Sequence, residues 1–334
     1  MTHENDIETA PPQDPLLAFV PVPYRATFYP YGFPALIESN SALVLKAAEQ
    51  SWGHCSRLSE EAPITVRFLV VDGVAGKALS APVFRAQRNL LTIVADAENH
   101  ASCDLVNGFA FACVSAAAVA NVEYFRLCFL EAMTYSLLNT LRHVALHAAC
   151  VARNGRGVLL AGDSGAGKSS LAYACACRGW TYVSDDASCL LRRGKDNTVM
   201  GNSQLFRFRD TVGGLFPEFA GLPHKRRPLQ KGKPTIEIRT DCLPGIQTAQ
   251  SSRVDFVVFL RRSIKRSASS PWFTPVSRES ALNQLCPNVW PPELTVNDEH
   301  RAAVARLLKV DTLALHYHDL ESAVNLLQQL VERR

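Results

Sequence analysis

The chain has 334 residues, 47% hydrophobic and 20% charged, which suits a soluble globular protein of one large domain or two ordinary ones. Its formal net charge of +4 is small for this length and no basic stripe is visible, which argues against nucleic acid as a partner. The 10 cysteines lack a CxxC pair, the start is acidic rather than signal-like, and the apolar runs are too short for a membrane span, so we expect a cytoplasmic protein with reduced thiols.

The first part of the chain predicts a small α/β domain. Residues 1–15 are polar and proline-containing and predict a disordered tail, and residues 16–120 predict a domain of unknown role. Apolar residues at helical spacing predict a helix from Ser41 to Trp52, and "ITVRFLVVDG" and "NLLTIVADAE" predict strands. Asn107-Gly108 between apolar runs predicts a two-residue hairpin, so the strands here should be antiparallel.

A long helix and a second hairpin lead to the middle of the chain. "NVEYFRLCFLEAMTYSLLNTLRH" has apolar residues at helical spacing and predicts one helix over 121–143, which opens a second domain over 121–334. Asn154-Gly155 predicts a hairpin whose second strand is "GVLLA". Further along, "RVDFVVFLRR" and "TLALHYH" predict strands, "DEHRAAVARLLKV" predicts a helix, and Asp319 is expected to cap a terminal helix.

A glycine-rich loop follows the strand "GVLLA" and carries the clearest chemical signal. Residues 162–169 satisfy GxxxxGK[ST] between a strand and a helix-compatible run, which is the context that a phosphate-binding loop requires. Its glycines allow successive amides to point inward, and the helix N-terminus adds partial positive charge. The predicted nucleotide-binding residues are Gly162, Asp163, Ser164, Gly165, Ala166, Gly167, Lys168, Ser169 and Ser170. Lys168 would reach the β and γ phosphates of ATP, and Ser169 would offer its hydroxyl to Mg²⁺.

Two adjacent acids end the next predicted strand, "WTYVSDDAS". Asp185 and Asp186 should emerge at the sheet edge where the phosphate loop lies. One carboxylate could hold Mg²⁺, and the other could accept a proton from an attacking hydroxyl. A turn or a helix cap is the structural alternative, because Asp favours both.

The run from "LHAACVARNGRGVLLAGDSGAGKSS" to "WTYVSDDA" resembles the core of HPr kinase/phosphorylase, a bacterial protein-serine kinase whose phosphate-loop domain is similar to phosphoenolpyruvate carboxykinase. The resemblance covers about a third of the chain and implies an α/β fold, with a P-loop catalytic domain preceded by a smaller α/β domain with antiparallel strands. It also implies catalytic roles for His147, Lys168 and the Asp185/Asp186 pair, with Ser169 and Asp185 as metal ligands.

The second acidic metal ligand of the family falls on Glu237 in "GKPTIEIRTDC", by a looser resemblance. The family's Gly-Leu-Gly continuation is absent, an added segment "FRFRDTVGGLFPEFAGLPHKRRPLQ" precedes it, and Ser170 replaces a usual acid. A solvent-facing Glu on an edge strand is the alternative reading. These departures make HPr itself an unexpected substrate.

Other residues have both a functional and a structural interpretation. Lys225, Arg226 and Arg227 could close over phosphate or form a solvated face, and Arg261 and Arg262 could stabilise transferred charge or end a surface strand. His147 could be a core histidine, and His316 and His318 lack a third ligand for a metal site.

The sequence thus predicts an ATP- and Mg²⁺-dependent kinase that phosphorylates a hydroxyl, with serine preferred, on a peptide or protein such as a ribosomal precursor peptide. The alternatives are a small-molecule kinase, for example of free serine, and a nucleotide-binding regulatory or assembly protein that transfers nothing. We expect no nucleic-acid or membrane partner, and a homo-oligomer is compatible with the sequence.

Overall fold

The computed structural model describes residues 20–73, 79–193, 196–219, 221–227, 235–263, 270–286 and 296–333. The tail predicted at 1–15 lies outside these ranges. Within them, no helix is both long enough and apolar enough to cross a membrane.

The first sheet has seven strands in the described part of the chain and mixes parallel and antiparallel pairs, in the order β1-β2-β3-β7-β6-β5-β4. Its strands are β1 (Tyr24–Phe28), β2 (Ala35–Ser39), β3 (Ile64–Val71), β4 (Val83–Gln87), β5 (Leu90–Val94), β6 (His100–Asp104) and β7 (Phe109–Ser115). Helix α1 (Ala42–Trp52) follows β2, and the Ser41 hydroxyl accepts the Leu43 amide at its N-terminus, as the sequence predicts.

The connection between β6 and β7 differs from the predicted two-residue turn. Residues 105–108 join the strands, and Gly108 has the positive φ of 71° that the Asn-Gly pair indicates. The turn is longer because the Asp104 carboxylate accepts the amides of Val106 and Asn107 and so holds the chain in a wider loop.

The predicted long helix of residues 121–143 is interrupted. Helix α2 (Ala116–Ala120) and helix α3 (Val122–Phe125) lead into a π-helical turn at Arg126–Leu130, and helix α4 (Glu131–Leu141) follows. In the π turn, Arg126 and Glu131, five positions apart, come within 2.7 Å as an ion pair.

These helices cover one face of the first sheet. Phe125, Phe129, Met133 and Leu137 are fully buried in the same core as Ile37 and the other inward side chains of β2, β3 and β7. The packing therefore favours a domain boundary near the end of α4, whereas division between 16–120 and 121–334 remains a prediction.

The central sheet carries the glycine-rich loop. In the described ranges it has ten strands, with β17-β11-β9-β10-β18-β13-β12-β8 along its main path and β20 and β19 added beside β18. They are β8 (His143–Leu146), β9 (Ala148–Arg153), β10 (Arg156–Ala161), β11 (Thr181–Ser184), β12 (Ser188–Leu191), β13 (Thr198–Gly201), β17 (Gln247–Thr248), β18 (Ser251–Arg262), β19 (Trp272–Pro275) and β20 (Asp311–Tyr317). Strand β10 pairs antiparallel with β9 through the Asn154-Gly155 turn and parallel with β18.

A small antiparallel sheet formed by β14 (Leu205–Arg209), β15 (His224–Arg227) and β16 (Thr235–Arg239) has β16 in its middle. Short 3₁₀ turns at Asp210–Gly214, Pro217–Phe219 and Thr240–Cys242 flank it. Phe206 and Phe208 of β14 are buried against Tyr173 and Tyr182 of the central unit, so this sheet is fixed to the side of the fold that carries α5.

The remaining helices pack on the two faces of the central sheet. They are α5 (Lys168–Cys177), α6 (Arg278–Leu285), α7 (Val296–Leu307) and α8 (Leu320–Glu332). Asp319 caps α8 by accepting the Ser322 amide at 2.8 Å, as predicted.

Candidate functional site

The glycine-rich loop lies between the end of β10 at Ala161 and the start of α5 at Lys168. Gly162, Gly165 and Gly167 have φ values of 151°, 92° and 99°, which side-chain-bearing residues rarely adopt. A Cβ at Gly167 would lie 2.5 Å from the hydroxyl of Tyr317, which donates a hydrogen bond to the Ala166 carbonyl at 2.8 Å. The loop therefore requires glycine where neighbouring groups approach its backbone.

Lys168, His147 and Asp186 form one hydrogen-bonded chain. The buried Lys168 ammonium donates to His147 Nε2 at 2.9 Å and to the Gly162 carbonyl at 2.8 Å. His147 Nδ1 lies 3.1 Å from Asp186 Oδ1. Because an ammonium only donates, Nε2 must be the acceptor, so the proton of neutral His147 sits on Nδ1 and points at Asp186.

Lys168 and Asp186, at the two ends of this hydrogen-bonded chain, both have a shifted pKa. Burial lowers the pKa of Lys168, although the carboxylates of Asp186 and Asp163 oppose that effect. The hydrogen bond from His147 is the main cause that lowers the pKa of Asp186, with further contributions from the charges of Arg207 and Lys168. Asp186 is thus ionised at neutral pH and held beside the loop.

Asp185 is in a different environment. It is buried, and burial raises its pKa to about 7 in spite of the nearby Arg207 guanidinium. One of its oxygens accepts the backbone amide of Arg207. It lines a neighbouring cavity of about 190 Å³ together with Tyr31, Arg126 and Tyr135, at the junction with the first sheet.

Arg207 links Asp185 to Glu237 of β16. The Arg207 Nε donates to Glu237 Oε1 at 2.8 Å. Burial would lower the pKa of Arg207, but Asp185 and Glu237 outweigh it and raise that pKa further. Glu237 is only 5% exposed and lies on the middle strand of its sheet, so the expectation of a solvent-facing Glu on an edge strand is wrong.

A cavity of about 550 Å³ opens in front of the loop. Its polar lining comes from the loop, the start of α5, the ends of β8, β11 and β18, and the small sheet. These residues are His147, Ser164, Lys168, Ser169, Ser170, Asp186, Arg207, Arg209, Glu237 and Arg262. Ser169, Asp186 and Glu237 therefore share one cavity, whereas Asp185 does not line it. Among the described residues no group of three or more His, Cys, Asp and Glu side chains is arranged to hold a metal ion.

The other loop residues and the predicted basic residues are the remaining candidates for the site. Asp163 and Ala166 line a second cavity on the other side of the loop, with Arg262. Arg261 lines this second cavity as well, and its guanidinium donates to Gln284 at 2.8 Å. Residues 225–227 form β15, but their side chains, on which the predicted basic cluster depends, lie outside the described part of the chain.

The two C-terminal histidines have separate partners. His316 stacks on Trp272 with ring centroids 4.8 Å apart, and His318 lies 3.1 Å from Asp319. These contacts account for both residues without a shared ligand.

Three residues beside the loop were missed by sequence reasoning: Arg207, Arg209 and Tyr317. The alternation in "LFRFR" could have placed both arginines on one face of a strand opposite two phenylalanines. Tyr317 gave no signal, since its contact with the loop spans 151 residues of sequence.

Comparison with known proteins finds a family model that matches part of the chain. Residues 139–208 match the family model described as "HPr Serine kinase C-terminal domain", a segment that contains His147, Lys168, Asp185 and Asp186. The HPr(Ser) kinase/phosphatase from Coxiella burnetii is a structural match with 14% sequence identity and a TM-score of 0.29, covering 56% of this chain and 97% of that chain. Comparison with curated proteins finds no match.

Proposed function

Because residues 139–208 are HPr-kinase-like, we propose that this chain is an ATP- and Mg²⁺-dependent kinase that transfers the γ-phosphoryl group to a hydroxyl of a peptide or protein, with serine preferred. The observation that carries the proposal is the hydrogen-bonded chain from Lys168 through His147 to Asp186 beside a glycine loop. HPr itself is not the proposed acceptor.

The cavity and the loop fit a nucleoside triphosphate. A volume of about 550 Å³ is within the range of small-molecule sites, roughly 300–1,000 Å³. The positive-φ glycines leave room for phosphate oxygens close to backbone amides, and the N-terminus of α5 faces the same space. Lys168 adds a cation that is already anchored on the Gly162 carbonyl and His147.

The same cavity offers oxygen ligands suited to Mg²⁺. Ser169, Asp186 and Glu237 line it, and Asp185 lies behind it. Mg²⁺ in nucleotide sites is usually held by one or two carboxylates together with phosphates and water, so a full protein cage is not required. Bound there, the ion would neutralise phosphate charge, and Ser169 with Asp186 or Glu237 would hold it, because Asp185 does not line the cavity.

In the proposed reaction Asp186 orients the acceptor hydroxyl and takes its proton as the oxygen bonds to the γ-phosphorus. Its low pKa keeps it ionised, and His147 fixes its direction. A weak base suffices because phosphoryl transfer depends mainly on positioning and charge neutralisation. Lys168 stays protonated and binds the phosphates, and Asp185 holds the Arg207 backbone in place.

The proposal also covers the phosphoryl acceptor and the cellular location of the reaction. The π turn that packs on the first sheet contributes Leu127 to the cavity wall, which supports a role for that part of the chain in recognising the acceptor. A ribosomal precursor peptide, acting in the cytoplasm, is the acceptor we propose to test first.

The test is transfer from γ-labelled ATP with Mg²⁺ to a panel of serine-containing peptides and proteins, with free serine included. We expect acceptor-dependent labelling that falls about 10²- to 10⁴-fold in Asp186→Asn, the usual contribution of a positioned acid–base group, while ATP binding remains. Asp241→Asn is the matched control, because that exposed carboxylate pairs with Arg239 away from the cavity.

Tight ATP binding without labelled product across the panel would instead support a regulatory nucleotide-binding protein. Labelling of free serine alone would reassign the acceptor to a small molecule.

A further inference from the structure

The cavity contains an arginine just beyond the segment that matches the family. Arg209 is the last residue of β14, and the match ends at residue 208. Phe206 and Phe208 face the core, so strand alternation turns Arg207 and Arg209 to the opposite side, into the cavity. The aromatic anchors thereby fix the register that presents Arg209 to the loop.

Arg209 rests directly on the phosphate loop. Its Nη2 donates to Ser164 Oγ at 3.1 Å. A Cβ at Gly165 would lie 2.9 Å from Nη2 and 3.1 Å from Nη1, so the absence of a side chain there is what admits the guanidinium.

The two arginines of β14 differ in how their charge is used. Arg207 is paired with Glu237, whereas Arg209 makes no ion pair with any described residue. Burial is the main cause that lowers the pKa of Lys168, and the charge of Arg209 lowers that pKa further. Two cations that face one another across a glycine loop favour an anion between them.

We propose that Arg209 binds the terminal phosphate of the nucleotide and stabilises the charge that develops on it during transfer. This inference rests on the proposed kinase function and adds a catalytic residue to it. Among the described residues, Arg209 donates a side-chain hydrogen bond only to Ser164, whereas Arg207 is paired with Glu237, so the other donors of Arg209 can bind phosphate oxygens.

The step assigned to Arg209 is electrostatic. The acceptor oxygen bonds to the γ-phosphorus as the bond from that phosphorus to the β–γ bridging oxygen breaks, and the electron pair stays on the ADP formed. The acceptor proton goes to Asp186. Arg209 keeps all its protons and donates hydrogen bonds to the oxygens of the moving phosphoryl group.

The experiment measures ATP and ADP dissociation constants by calorimetry, together with single-turnover transfer, for wild type, Arg209→Gln, Arg262→Gln and Arg239→Gln. Arg239 is the matched control, because it lies in the same small sheet but pairs with Asp241 outside the cavity. For Arg209→Gln we expect ATP binding to weaken about 10- to 100-fold, the equivalent of a charged hydrogen bond, with ADP binding unchanged. Transfer should slow about 10²- to 10³-fold.

The outcomes separate this inference from the proposed function. Loss of the ATP-over-ADP preference in Arg209→Gln supports the contact between Arg209 and the terminal phosphate. This holds even if wild type labels no acceptor, a result that would reject only the proposed kinase activity. Equal weakening of both nucleotides, no weakening of either, no ATP binding by wild type, or loss of the preference only in Arg262→Gln would each overturn the role of Arg209. Thermal midpoints close to wild type verify that the variants are folded.

Discussion

Asp185 and Asp186 are neighbours in sequence but have opposite electrostatic environments. Asp186 reaches the phosphate cavity and has a lowered pKa because His147 donates to it. Asp185 points back towards the first sheet and has a raised pKa because it is buried. Environments that move the pKa values of two carboxylates apart in this way are the usual means of giving the carboxylates different roles.

The raised pKa of Asp185 makes stability depend on pH. Its pKa is about 7 in the folded chain, against an ordinary value of 3.8 for an aspartate in water, so the folded state holds an extra proton between those values. The contribution of Asp185 to stability should therefore fall as pH rises from about 4 to about 7 and level off above that. In Asp185→Asn this contribution disappears, so relative to wild type the variant should gain about 3 kcal/mol between pH 5 and pH 8.

Urea unfolding at pH 5 and pH 8 measures this difference. Asp298→Asn, which changes an exposed carboxylate on α7, is the control and should keep the wild-type dependence. An identical pH dependence in wild type and Asp185→Asn would show that the buried carboxyl is not protonated in the folded state.

For single residues, the sequence predicted which residues lie near the site better than it predicted where their side chains point. The glycine pattern and the acidic pair placed Lys168, Asp185 and Asp186 at one end of the central sheet, because strand ends and loops meet there. Which carboxylate faces the cavity depends on a contact with the Arg207 backbone 22 residues away, and no local pattern encodes that contact.

Strand β14 shows how one element connects packing to chemistry. Phe206 stacks on Tyr182 with ring centroids 3.9 Å apart, and Phe208 packs on Phe219 at 5.0 Å. Phe206 and Phe208 are thus core anchors, and the alternate residues Arg207 and Arg209 line the cavity. The element was absent from our sequence-based prediction, although its alternation indicates a strand, because we interpreted the glycine- and proline-containing segment around it as an addition to the fold.

Removing the anchor should destabilise the fold and the site together. Phe206 is fully buried, so Phe206→Ala should cost about 3–5 kcal/mol in denaturant unfolding, the usual range for a core Phe→Ala change. Val106→Ala changes a residue that is 51% exposed and should stay within about 0.5 kcal/mol of wild type. A cost for Phe206→Ala no larger than that of Val106→Ala would mean that β14 is not held by this stacking.

For the helices of residues 122–141, the sequence predicted the elements but not the surface on which they pack. Its periodicity predicted a buried helix, and the helices are there, but the pattern gave no indication of which sheet they cover. The π turn was also invisible, because one additional residue in a turn leaves the apolar spacing almost unchanged.

For the whole molecule, this packing means that the first sheet and the helices share a core. Phe125, Phe129, Leu130, Met133 and Leu137 are completely buried there. A fragment of residues 121–334 would keep these side chains but lose the sheet that covers them, and should expose a continuous apolar face.

Fragments starting at residues 121 and 142 test this arrangement. We expect the longer fragment to bind the dye ANS strongly and to aggregate, and the shorter fragment, which lacks the uncovered face, to bind less dye and remain dispersed at the same concentration. The full chain is the reference for both. Cooperative unfolding and weak dye binding by the fragment of 121–334 would show that the helices belong with the central sheet.

The contact between Tyr317 and the glycine loop has a consequence for biosynthesis. The tyrosine lies at the end of β20, beside β18 and close behind the loop. A growing polypeptide on the ribosome can complete β10 and α5 early, but the back of the loop stays open until residue 317 has left the exit tunnel. Under the proposed function, a chain that ends before residue 317 should therefore not bind nucleotide, and binding should appear only late in translation.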